Sequence, residues 1–297
     1  MKERNMLTAT FGNNWGGRRG QALIDYMVQQ AQQTDVFALT EVNHLPGADP
    51  KVPVYMTNPS DKKTGHDQIM LNQFEVLRSE LLWSHAGHFA GENSETYKCA
   101  TGKQYPCTQY GNAMFSRIGL NVIETGSVFI LGNFNQRAEN GSSPRVMQYK
   151  VIFKDGQWYL IAHFHGVWYK DPDTGSTKSD GPVRIKQSAN VLTALEKIAV
   201  KYAISKVIFG GDFNLDIDTV ALRMLEQGSA AGLMGYRNLI RERNITDTRT
   251  ALYRDYTTPG TSLYADYVFV SESVRVEDIQ LVGQHASDHA HIQINFS

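Results

Sequence analysis

The stretch "VIFGGDFNLDID", Val207 to Asp218, runs from apolar strand residues through two glycines into Asp212, Asn214, Asp216 and Asp218. Three structures would use such a ladder: a calcium loop, a catalytic metal or phosphate site, or a turn carrying solvated acids. A helix-flanked calcium loop starting at Asp212 requires Gly at its sixth position and Glu at its twelfth. Ile217 and Arg223 stand there, and a strand-like run precedes the ladder instead of a helix. The calcium loop is excluded. Asp212 and Asn214 fall at the strand end, where side chains can converge on a pocket. Asp216 and Asp218 read as solvated loop acids or a cap for the next helix.

Working outward, the 297 residues are 41% apolar, enough for a substantial core. With no internal repeat or low-complexity tract, a single domain over residues 1–297 is expected. The net charge of −1 gives no whole-molecule attraction for polyanions, so such a contact needs a local basic patch. No apolar run is long enough to span a bilayer. The opening "MKERNMLTATFG" becomes strand-like before a signal-peptide core could form. A soluble monomer is expected, either cytoplasmic or secreted after processing. Cys99 and Cys107 bracket seven residues. They read either as two unrelated thiols or as a small disulfide loop in an oxidising compartment.

Along the chain, "NMLTATF" alternates, "GQALIDYMVQQAQQ" has helical spacing and "DVFAL" is a short apolar strand, a βαβ-type start. The Pro- and Gly-rich stretch 45–67 reads as a long exposed loop. Strand-like pieces follow: "QIMLN", "NAMFS", "GSVFIL", "RVMQYKVIF" and "WYLIAHF". After the loop "YKDPDTGSTKSDGP" come the helix "VRIKQSANVLTALEKIAVKYA", the strand "KVIF", a helix at "TVALRMLEQ", and the strands "LYADYVFVS" and "HIQINF". This pattern predicts an α/β fold of two packed, mostly antiparallel sheets flanked by helices.

Five clusters stand at strand ends. Glu41 follows the buried run "DVFAL" and suits an oxygen ligand for a hard cation, or a surface acid. His163 and His165, in "IAHFHG", share a face by period two; each is either a core histidine or, when protonated, a donor to phosphate. Asp212 and Asn214 form the third cluster. Asp288 and His289 are adjacent, so within a strand they point to opposite faces and cannot pair. Asp266, in "YADYVFV", is a candidate to hold the His289 imidazole and leave its other nitrogen free to take a proton from water.

In this order, "LTEVNH", "YGNAMFSR", "IAHFHG", "GGDFNLD", "YADYVFV" and "SDHAHIQI" resemble the motifs of the endonuclease/exonuclease/phosphatase superfamily, the deoxyribonuclease I-like fold. The resemblance covers about residues 6 to 296 and implies a four-layered α/β sandwich. Carried over, Glu41 looks like the family's metal-binding glutamate and His163 like the histidine on the scissile phosphate. Asp212 and Asn214 resemble the pair that orients water and phosphate. Asp266 is similar to the acid supporting the last histidine, and Asp288 and His289 to the terminal metal- or base-associated pair. Asn112 and Arg145 are similar to family residues near the substrate. The implied cofactor is Mg²⁺, with Mn²⁺ or Ca²⁺ as alternatives. One departure stands out: the family's first strand usually ends in a metal-binding Asn, whereas Thr10 falls at the simplest aligned position. A bulge near Gly12 would let Asn13 supply that amide.

The implied activity is metal-assisted phosphodiester hydrolysis with nucleic acid as the expected substrate. Arg18, Arg19, Lys51, Lys62, Lys63, Arg145 and Lys150 supply local positive charge near aromatic residues. The cysteine loop is similar to a small disulfide of secreted deoxyribonucleases. Sphingomyelinase-like lipid hydrolysis, with Trp168 and Tyr169 as an exposed aromatic pair, is the alternative, as is phosphatase action on inositol phosphates or small metabolites. A silent binding protein of this fold would have lost the catalytic residues that this chain keeps.

Overall fold

The computed structural model describes residues 6–57, 68–98, 103–138, 141–168, 170, 175–228, 235–255, 257 and 261–297. The first sheet contains β1 (Leu7–Asn13), β2 (Val36–His44), β5 (His85–Lys98), β6 (Gln104–Arg117), β13 (Val276–Val282) and β14 (His291–Phe296). Its spatial order is β13-β14-β1-β2-β6-β5. The second holds β7 (Val122–Leu131), β8 (Arg145–Lys154), β9 (Gln157–Phe164), β10 (Lys206–Asp212), β11 (Arg237–Asn238) and β12 (Asp266–Val270), ordered β11-β12-β10-β9-β8-β7. β3 (Tyr55–Thr57) and β4 (Gln68–Met70) form a small ribbon within the stretch read from sequence as loop.

Each large sheet has one parallel pair, β1 with β2 and β9 with β10, in otherwise antiparallel neighbours. Each parallel pair encloses a helix: α1 (Gln21–Gln30) in the first, α3 (Pro182–Tyr202) in the second. The helix α2 (Gln73–Glu80) packs with α1 on the first sheet, while α3 lies on the second with α4 (Val220–Gln227). The sheets face each other through residues such as Phe11, Met114, Met147 and Phe209, all buried. The result is the four-layered sandwich. Among the described residues, no helix is long and apolar enough to cross a membrane.

This arrangement brings the C-terminal ends of both parallel pairs to one edge. There β1 ends at Asn13, β2 carries Glu41, β9 runs out before His165 and β10 ends at Asp212. Two glycines make the close approach feasible. A Cβ on Gly12 would lie 2.3 Å from the His291 ring, and one on Gly211 (φ +132°) 2.3 Å from the Phe164 carbonyl oxygen.

Candidate active site

Asn13 continues β1 in unbroken parallel register with β2, pairing with Thr40, so no bulge at Gly12 is needed. The irregularity lies across the sheet, where the β2–β6 register shifts between Leu39 and Val42. Glu41 sits in that bulge at φ +54°, a conformation unfavourable for a residue with a Cβ and costing on the order of 1–3 kcal/mol. Asn214, beyond β10, is also at φ +54°. Both strained residues face the same place.

Asn13 Nδ2 donates to Glu41 Oε1 at 3.0 Å and to Asp212 Oδ2 at 2.9 Å, while its Oδ1 accepts from Trp15 N at 2.8 Å. One amide thus tethers two carboxylates that repel each other. Burial raises the Glu41 pKa, and the charges of Asp288 and Asp212 add to that rise against the Asn13 bond and His289. Burial also opposes ionisation of Asp212, but His289, His165, Arg249 and Asn13 hold it down to about 2.

His165 lies just past β9. Asn214 Nδ2 donates to its Nε2 at 3.1 Å, its Nδ1 meets Tyr110 Oη at 3.3 Å, and Glu41 and Asp212 stand 3.8 and 3.7 Å from Nε2. Burial, chiefly, lowers its pKa to about 3, so the ring is neutral. His163 is elsewhere: fully buried, it donates from Nε2 to Gln148 Oε1 at 3.0 Å and does not line the pocket. Of the two histidines, His165 lines the pocket and His163, to which the resemblance gave the phosphate contact, does not. Asn112, also outside the pocket lining, donates to the Val146 carbonyl at 2.8 Å.

His289 Nδ1 contacts Asp266 Oδ2 at 2.7 Å, and its Nε2 is 3.6 Å from Asp212 Oδ2 and 3.8 Å from Asp288 Oδ1. Burial and Arg249 push its pKa down, but the carboxylates of Asp266, Asp288 and Asp212 outweigh them and raise it. Arg249, paired to His289 in a β-bridge, donates Nη1 to His289 Nε2 and lies 3.4 Å from Asp288 Oδ2. Arg145 borders the same pocket, held by Glu92 at 2.6 Å and by the Gly166 carbonyl.

The pocket is about 340 Å³ and also takes in Lys178, Tyr253, Trp15, Arg18 and Trp168. Lys178, Arg249 and Tyr253 were not singled out from the sequence: the first two lie in irregular segments and Tyr253 in a one-turn helix, Ala251–Arg254, and none carries a motif. Glu41, His165 and Asp212 offer ligand atoms within 4.8 Å of one another. Two mutually repelling carboxylates, Asp212 buried and Glu41 partly exposed to the pocket, with an amide and a neutral imidazole, are a donor set that fits a divalent cation. Asp288 faces the pocket with its carboxylate engaged by Arg249. Cys107 has a free, exposed thiol; Cys99, the other half of the anticipated loop, lies outside the described residues.

Residues 13–289 match the sequence model of the Endonuclease/Exonuclease/phosphatase family. No curated protein sequence matches the chain. Among solved structures, an endonuclease/exonuclease/phosphatase from Bacteroides vulgatus superposes with a TM-score of 0.65 at 14% identity, covering 99% of each chain. A mannosyl-6-phosphatase from Bacteroides thetaiotaomicron gives 0.62 at 15% identity, covering 98% of this chain and 99% of that one. The human Nocturnin catalytic domain gives 0.59 at 15% identity, covering 100% and 96%. Identities this low speak to the fold alone. The family match spans nearly the whole chain and includes Asn13, Glu41, Asp212 and His289: the protein belongs to the endonuclease/exonuclease/phosphatase family, whose members are hydrolases of phosphoester bonds and generally depend on divalent metal.

Proposed function

We propose that the protein is a metal-dependent phosphodiesterase that hydrolyses nucleic acid through a water activated by His289. The observation that carries this reading is the convergence, in one pocket, of the Asn13–Glu41–Asp212 cluster with the Asp266–His289 dyad. Glu41 and Asp212, tethered by Asn13, would hold the cation, which when bound neutralises charge on the phosphate. Asp266 keeps the proton on His289 Nδ1, so Nε2 can take one from water. Asp212 Oδ2, 3.6 Å from Nε2, helps place that water. Arg249 caps Nε2 in the structure and must turn away, toward the phosphate, as water enters. His165, its Nε2 held by Asn214, would complete the cation's donor set, and Asn214 stands beside it where the phosphate would enter.

A nucleic-acid substrate is supported by the aromatic residues around this charge. Trp15, Tyr110 and Tyr253 border the pocket, and Trp168, 62% exposed, offers a stacking face for a base. The test is incubation of the purified protein with Mg²⁺ or Mn²⁺ and, separately, supercoiled plasmid, RNA, sphingomyelin and an inositol phosphate. Cleavage of plasmid or RNA is expected. Turnover of lipid or monoester without nucleic-acid cleavage would replace the substrate, and no turnover of any would sink the enzymatic reading.

A further inference from the structure

The buried cations of the pocket are not equally neutralised. Arg145 is answered by Glu92 at 2.6 Å and Arg249 by Asp288 at 3.4 Å. Lys178, only 6% exposed, has no carboxylate within 4 Å among the described residues. Its ammonium donates to the carbonyl of Ser262 at 2.7 Å and to that of Tyr264. An ammonium carries three N–H groups, and no described protein atom accepts the third. The group is held firmly in place. Lys178 N donates to Ser176 Oγ at 3.1 Å, and its carbonyl accepts from Asp216 N at 3.0 Å. Lys178 Nζ and Arg249 Cζ both approach the Tyr253 ring, at 5.6 and 4.3 Å to its centroid. A buried charge without a counter-ion is costly, so a fold that anchors one in a pocket is prepared for an anion to enter.

We propose that Lys178 is a catalytic residue in contact with substrate: its third N–H donates to a non-bridging oxygen of the bound phosphate. The proposal rests on the phosphoester reading of this pocket and adds a contact that no motif signals. Burial and Arg249 lower the Lys178 pKa to about 8 against Asp212, Asp216 and Asp266, so the amine is charged at neutral pH yet under-compensated. Phosphate would complete its shell.

The test is binding of inorganic phosphate to the full chain in Mg²⁺ buffer, read by calorimetry and by the ¹⁵Nζ signals of labelled lysine. In the wild type, phosphate should shift the Lys178 Nζ signal. In Lys178→Met the affinity should fall at least about tenfold, as befits a lost charge-assisted hydrogen bond. A smaller loss overturns the proposal, as does a Lys178 signal unmoved at saturating phosphate or a wild type that binds no phosphate. Should Lys178→Met fail to fold, with two carbonyls left without donors, the wild-type signal decides alone. Hydrolysis is not read, so Lys178-dependent phosphate binding without turnover would sink only the proposed reaction.

Discussion

Two buried polar clusters grow from the end of β9, one around His163 and one around His165. They share a neutral imidazole and burial that lowers each pKa to about 3, although His163 lies in β9 and His165 just beyond its end. They differ in what surrounds the ring. His163 meets Gln148, which donates in turn to the carbonyl and Nδ1 of His88, and no described carboxylate lies within 4 Å. His165 stands among Asn214, Tyr110, Glu41 and Asp212, on backbone bent into the left-handed region at Glu41 and Asn214. The first cluster is neutral, with His163 Nε2 bonded to the Gln148 amide and Nδ1 left without a partner among the described residues, whereas the second gathers negative charge and stored strain beside an open pocket. Burial of a histidine is therefore no signature of function; unbalanced charge facing a cavity is.

The largest effects belong to the charged cluster. His289→Ala and Asp212→Ala should each lower kcat for phosphodiester hydrolysis by about 10³-fold or more while leaving the fold intact, since loss of a general base or its water-placing partner removes on the order of 10²–10⁴-fold. Near-full activity in either variant would break the role assigned to that cluster. The next effect separates the two histidines directly. His165→Gln should cost about 100-fold in kcat/KM. His163→Gln should leave activity within a few-fold and cost about 1–2 kcal/mol of stability as its buried hydrogen bond is disturbed. Kinetics and urea unfolding of both variants check this, and the reverse result would move the functional role to His163.

The same pair shows how far the sequence could be read. The strand-helix order around "DVFAL" and "KVIF", the Asp-x-Asn ladder and the Asp266–His289 pair were legible from strand ends. The expectation that Asp288 and His289 point to opposite faces fails: they precede β14, line one pocket and stand 3.8 Å apart. The period-two argument placed His163 and His165 on one face, but β9 ends at Phe164, and the rule lapses where the strand does. At Asn13 the amide was legible and the bulge was not: β1 runs straight, and β2 yields at Glu41. Helix α2 and the strands β5 and β13 were not anticipated, since each reads as ordinary polar or mixed sequence until its neighbours are known. Lys178 and Arg249 reach the pocket from irregular segments by long-range contacts, which no local pattern encodes.

Metal binding should sharpen the contrast by a smaller, thermodynamic amount. Glu41 and Asp212 repel in the charged cluster, so Mg²⁺ or Mn²⁺ should raise Tm, with about 2.7 kcal/mol of stabilisation at a metal concentration 100 times Kd. Glu41→Gln should lose most of that rise, and His163→Gln should keep it. A metal-independent Tm in the wild type would contradict the donor set described for Glu41, Asp212 and Asn13. Chelation should abolish turnover in parallel.

The smallest effect comes from the neutral cluster and from its counterpart at His85, which lies against the Thr34 carbonyl. Burial lowers His163 to about 3 and His85 to about 4, against an ordinary value of 6.5. Between those limits the unfolded chain binds protons that the fold refuses. Their contribution is therefore fully present above pH 6.5 and is lost as the pH falls toward about 4 for His85 and about 3 for His163. Each such histidine adds a slope of at most about 1.4 kcal/mol per pH unit. Urea midpoints from pH 7 to pH 5 should accordingly fall in the wild type and fall less steeply in His163→Gln, which has no proton to exclude. Equal slopes would mean that His163 takes up a proton within the fold, and the neutral character that separates it from the charged cluster would be lost.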